Sequence, residues 1–170
     1  MPATVRRLLL LLVLLACAAP AHAQVLPGFR RADANPHLRR FRAEMFEEVS
    51  ATMTKWRQAW AGRDARAASR VFTEDGVLLL PERQKVQGHT ALAEEFATVL
   101  PGAGALQFSI VDFAVSDGLA MASGRFWYET TAEGRPGPGR TGTYVAAFEL
   151  EAGAWKIRMM LLRDERVPLS

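Results

Sequence analysis

Residues 53–76 read MTKWRQAWAGRDARAASRVFTEDG, and they set out the order of the fold's first elements. Met53, Trp56 and Trp60 recur at steps of three and four, the spacing of one helical face. Extending the pattern backwards adds Val49 and Met45, so an amphipathic helix is predicted from about Phe41 to Ala61. Glu44, Glu47 and Glu48 lie in its early turns, where the helix dipole favours negative charge. Gly62 supplies a stop. Asp64 can accept from the free N–H groups of a short second helix over Ala65 to Val71. Phe72 then closes that helix onto the core. Asp75-Gly76 reads as a turn, and Val77 to Leu80 as a short buried strand ended by Pro81.

Working outward towards the C-terminus, a polar loop from Glu82 to Gln84 leads to a small strand at Lys85 to Gln87. A third helix is predicted over Ala91 to Leu100, with Thr90 as its cap and Leu92, Phe96 and Val99 on its inner face. Pro101 and Gly102 end it. Four strands follow, at about 105–115, 119–130, 141–149 and 154–163. Ser116-Asp117-Gly118, the Gly-Pro run from Thr131 to Arg140, and Glu151-Ala152-Gly153 carry the turn residues that antiparallel connections need. In the last strand, Trp155, Ile157 and Met159 are expected to alternate inward. Helices followed by an antiparallel meander make an α+β domain, the helices on one face of a curved sheet.

Towards the N-terminus, Arg6 and Arg7, the apolar run Leu8 to Ala16, and Ala21-His22-Ala23 form the three parts of an export signal over residues 1–23. The apolar run is shorter than the roughly 20 residues a spanning helix needs. Cleavage near Ala23 sends the chain to the periplasm or outside the cell. The alternative is a lipoprotein, since Leu14-Leu15-Ala16-Cys17 resembles a lipobox with Cys17 as the acylated residue. Residues 24–42 contain Pro27, Gly28, Asn35 and Pro36 with few large apolar side chains, and read as a flexible basic lead-in to a domain over 43–166.

Across 170 residues the chain is 49% hydrophobic, enough for one core, and 23% charged. Its formal charge of +3 falls to +1 without the signal. From Ala43 onward there are 14 basic and 17 acidic residues, which argues against a nucleic-acid partner. Cys17 is the single cysteine. Without it the domain has no disulfide, cysteine nucleophile or thiolate metal site. His37 and His89 form no metal-ligand spacing, no phosphate-binding glycine loop precedes a helix, and no cofactor is implied.

Trp56-Arg57-Gln58-Ala59-Trp60, Gly62, Asp64 and Val71 to Gly76, then Gly88 to Leu92 and Gly153 to Ile157, together resemble the nuclear transport factor 2-like superfamily, especially its SnoaL-like branch. The resemblance runs from about Ala43 to Asp164. It implies a cystatin-like, cone-shaped roll in which a curved, mostly antiparallel sheet wraps three N-terminal helices and leaves a pocket at the open end. Members of the superfamily include isomerases, cyclases, dehydratases and association domains without catalysis, so fold alone does not decide function.

The superfamily's steroid isomerases use a carboxylate base with an oxyanion hole of a tyrosine and a protonated acid. On this resemblance those positions fall on Leu80, Trp56 and about Ala146. None can carry that proton chemistry, so no appreciable steroid isomerase activity is expected. What remains is an aromatic pocket. Trp56, Trp60, Leu80, Phe96, Tyr128, Tyr144 and Phe148 are its candidate ligand contacts, although aromatic side chains at such helical and strand spacing more often serve as core. His89, Arg125 and Tyr144 are the candidates for catalysis. Arg125 faces either a ligand anion or the solvated outer side of the sheet. The function expected is an exported small-molecule-binding domain for an apolar or aromatic ligand, dimeric through the outer face of its sheet. The alternatives are a cyclase, isomerase or dehydratase and a non-catalytic association module.

Overall fold

The computed structural model describes residues 35–81, 85–132, 135–137 and 139–165. The export signal, Cys17 and the lead-in up to Ala34 lie outside the described residues, as do the loop at 82–84 and the chain from Arg166. The chain divides into Met1–Arg39 and Arg40–Ser170. In the first part, Asn35 starts a helix: its side chain accepts from the His37 N–H at 2.9 Å, and its carbonyl from the Arg39 N–H at 3.1 Å. Pro36 takes the first helical position, where a missing N–H costs nothing. Helix α1 therefore runs Pro36–Ala61 rather than from Phe41. The Asn-Pro pair read as loop punctuation is a helix start.

Within Arg40–Ser170, α1 buries Val49, Met53, Trp56 and Trp60, the stripe its spacing predicted. Each such side chain taken out of water contributes about 1.5–3 kcal/mol. Asp64 caps α2 (Ala65–Arg70) by accepting from the Ala67 N–H at 2.8 Å. Strand β1 is longer than expected, Phe72–Leu79, and passes through Asp75-Gly76 instead of turning there. A Cβ at Gly76 would lie 2.7 Å from the Phe72 Cβ and 3.1 Å from the Ile157 carbonyl oxygen, so glycine is needed for close approach. Strand β2 (Lys85–Gln87) pairs antiparallel with β1. Helix α3 covers His89–Val99, capped by Gly88 at φ 83° with no side-chain cap, which places Thr90 inside the helix. A short 3-10 turn follows at Leu100–Gly102.

The meander is formed by β3 (Ala103–Ser116), β4 (Leu119–Ala132), β6 (Arg140–Glu151) and β7 (Ala154–Asp164). A two-residue strand β5 (Arg135–Pro136), inside the Gly-Pro connection, folds back on β4. The strand order is β2-β1-β7-β6-β4-β3. All pairings are antiparallel except β1 with β7. The result is the curved mixed sheet of an α+β domain.

Two bulges decide which side chains face the helices. Between Ile110 and Asp112 the β3–β4 register skips Val111, which is 68% exposed. Between Phe148 and Ala147 the β6–β7 register skips Arg158, whose guanidinium reaches Asp75 at 2.9 Å. A one-residue slip turns every later side chain over. Met159, expected inward, is therefore 46% exposed, and Met160 is fully buried in its place. The buried row Ala122–Ala146–Met160 crosses three strands, with Ala120–Phe148–Ile157 beside it.

Candidate functional site

A cleft opens where the C-terminal half of α1, the end of β1 and the inner wall of α3 face the concave side of the sheet. Trp56, Trp60, Leu80, Phe96, Phe108 and Tyr128 line it. At the inner end stands Trp56, 1% exposed. Its ring stacks on Phe108 at a centroid distance of 4.9 Å and meets Phe72 edge-on at 5.8 Å. Phe96 lies 6.1 Å away on the α3 side. Such offset and edge-to-face pairs each add about 0.5–1.5 kcal/mol beyond burial, so the wall is held in place.

The indole donors differ in their partners. Trp60 Nε1–H donates to the Gly104 carbonyl at 2.9 Å, and Trp155 Nε1–H to the Glu48 carboxylate at 2.9 Å. Among the described residues, Trp56 Nε1 is the one buried side-chain nitrogen or oxygen without a hydrogen-bond partner. An unmade bond of this kind costs about 1–3 kcal/mol, and a ligand acceptor would remove that cost.

The mouth carries charge. Arg140 pairs with Asp164 at 2.6 Å and donates to the Tyr128 hydroxyl at 3.3 Å. Asp164 and Glu165 both line the cleft, and Glu165 is held by Arg125 at 2.6 Å. Glu95, half-buried on α3, also lines it, with no hydrogen bond or ion pair among the described residues. The sequence reading missed it. Glu95 lies three residues after Leu92 and four before Val99, inside the apolar stripe, where a carboxylate is out of place. That misfit was the available signal.

Five of the seven expected ligand contacts therefore share the cleft: Trp56, Trp60, Leu80, Phe96 and Tyr128. Tyr144 and Phe148 are instead packed in the core, 1% and 0% exposed. The Tyr144 hydroxyl donates to the Ser109 carbonyl at 3.2 Å, and burial raises its pKa from 10.0 to about 12. His89 directs Nε2 at the Phe72 carbonyl oxygen, 3.0 Å away, and so acts as a donor within the fold. Arg125 lies on the outer face with its ion pair to Glu165; of its two expected orientations, the outward one is observed. Ala146, at the resemblance's second acid position, is fully buried. Among the described residues no helix is long and apolar enough to cross a membrane.

Residues 53–157 match the family model of the SnoaL-like domain, and the chain belongs to that family. No curated protein matches it. Among solved structures, a nuclear transport factor 2-like protein with a cystatin-like fold from Novosphingobium aromaticivorans superposes with a TM-score of 0.64 at 15% identity, covering 79% of this chain and 93% of its own. A ketosteroid isomerase-like protein from Erwinia carotovora atroseptica gives 0.61 at 21% identity, over 69% of this chain and 94% of its own. A candidate dehydratase of the nuclear transport factor 2-like family from Streptomyces avermitilis gives 0.59 at 16% identity, over 70% and 94%. At these identities the likeness establishes the fold.

Proposed function

We propose that this chain is an exported small-molecule-binding domain whose cleft takes an apolar or aromatic compound bearing a hydrogen-bond acceptor. The observation that carries the reading is the unpartnered Trp56 Nε1–H in an aromatic cleft. The test is native and denaturing mass spectrometry on protein purified from the envelope of an exporting host. A mature mass beginning at Gln24, with a small molecule released on denaturation, is the expected result. A lipidated mass beginning at Cys17 places the domain on a membrane surface. Trp56→Phe deletes the donor while keeping an aromatic ring, and should weaken binding of the released compound about tenfold. Unchanged binding would reject the role given to Trp56.

The domain further pairs with a second copy through the outer face of its sheet. Met121, Val145, Met159 and Leu161 are each more than 40% exposed there. They stand in the rows Met121–Ala147–Met159 and Ser123–Val145–Leu161. Met159→Glu should turn a dimer into a monomer in sedimentation; a wild-type monomer rejects this part of the reading. An intact dimer with no bound compound favours an association module.

A second reading, an enzyme of the cyclase, isomerase or dehydratase kind, draws on two structural neighbours, the ketosteroid isomerase-like protein and the candidate dehydratase, and on Glu95, the lining carboxylate without an ion pair among the described residues. It predicts that the compound released from the cleft is chemically converted when incubated with fresh protein.

A further inference from the structure

We infer that Glu95 makes the cleft selective for organic cations: its ligand is an aromatic amine that also carries an acceptor oxygen. The inference rests on the binding reading above and specifies the charge of the ligand. Two independent features lead to it among the described residues, a carboxylate without a partner and a buried donor without an acceptor, carried by two residues that line one cleft.

On α3 the inner stripe is Leu92, Glu95, Phe96 and Val99, three apolar positions and one acid. Leu92 is fully buried and Phe96 is 3% exposed. A charge placed among such neighbours gives up part of its hydration, and the loss is recovered only when an opposite charge or a donor meets it. The other carboxylates of the lining are already met, Asp164 by Arg140 at 2.6 Å and Glu165 by Arg125 at 2.6 Å. Arg163, the remaining lining cation, also has no ion pair among the described residues, but it stands in the row Arg125–Thr143–Arg163, whose Arg125 points away from the helices, and so reaches the cleft only at its rim. On the concave side, Glu95 is thus the charge left for a ligand. On the same inner stripe of α3, Phe96 packs 6.1 Å from the Trp56 ring, and Glu95 and Trp56 both belong to the cleft lining. A cation beside aromatic rings gains from their quadrupoles as well as from the carboxylate. An anion would meet the same rings with repulsion.

Calorimetric titration with phenoxyethylamine, phenoxyethanol and phenoxyacetate tests this directly. The three share a ring and an ether oxygen and differ in being cationic, neutral and anionic. The amine should bind about tenfold more tightly than the alcohol, and phenoxyacetate most weakly. Glu95→Gln should remove the amine's advantage and leave the alcohol's affinity unchanged. Trp56→Phe should weaken amine and alcohol equally. Glu94→Gln is the control, because that neighbour carries the same charge on the exposed side of α3. Equal affinity for amine and alcohol in the wild type overturns the inference and leaves the binding reading standing. So does a Glu94→Gln loss as large as that of Glu95→Gln. If none of the three compounds binds, both fall.

Discussion

The stretch of α1 around Thr52 and the last turns of the same helix pack against the same sheet and treat polar groups in opposite ways. Around Thr52 the buried side-chain polar atoms are paired: Thr52 donates to the Trp155 carbonyl at 2.8 Å, and the Trp155 indole donates to Glu48 at 2.9 Å. One turn further on, and among the described residues, Trp56 has no partner for its indole, and Glu95 of the same cleft lining has none for its carboxylate. The same helix and the same residue type give a sealed junction in one place and open valences in the other. A fold that satisfies Trp60 and Trp155 leaves Trp56 unmatched, and it is on this gap that the proposed ligand contact rests.

The contrast breaks if the sealed end proves dispensable. Trp155→Ala removes a ring that is 5% exposed together with its bond to Glu48, and should cost about 3–5 kcal/mol in urea unfolding. A loss under about 1 kcal/mol would mean that this end does not anchor the sheet to α1.

Tyr144 sharpens the boundary between core and cleft. Its folded pKa of about 12 lies above the ordinary 10.0, so the unfolded chain releases this proton first. Its contribution is fully present below about pH 10 and is lost as pH rises towards 12, by up to about 3 kcal/mol. Tyr144→Phe should lack that alkaline fall. An identical pH profile in wild type and variant would place the phenol in water.

At the open end the effects on stability should be smallest. Trp56→Phe keeps an aromatic ring and deletes a donor that bonds to nothing, and should shift stability by less than about 1 kcal/mol. Glu95→Gln should shift it by less than about 0.5 kcal/mol, since no partner is lost. If either change costs as much as Trp155→Ala, the cleft is core and the comparison fails.

Much of this architecture was legible in local spacing. The stripe Met45 to Trp60 read as a helix because side chains three and four apart share a face whatever the chain does elsewhere. Asp64 was recognisable as a cap for a similar reason, its bond to the Ala67 N–H closing within one turn. Asn35-Pro36 and Asp75-Gly76 misled, because the same residue types serve as punctuation in loops, helix starts and crowded strands. Five of the cleft residues were anticipated from their chemistry. Glu95 was not, although its spacing from Leu92 and Val99 set it apart from a surface acid, because its immediate neighbour Glu94 made the pair look like one solvated face.

The sequence by itself determined the order of the main elements, the family resemblance and four rings of the aromatic wall, Trp56, Trp60, Phe96 and Tyr128, from periodicities within a few residues, while Phe108, on a distant strand, went unanticipated. Only the tertiary structure decided which side of each strand faces α1. Inward and outward are set by pairing between distant strands, and the single-residue bulges at Val111 and Arg158 invert the alternation without a signature in composition. It also decided which polar groups find partners. Trp56, Trp60 and Trp155 are chemically the same donor, and only the placement of Gly104 and Glu48, far away in the chain, leaves Trp56 the unmatched one.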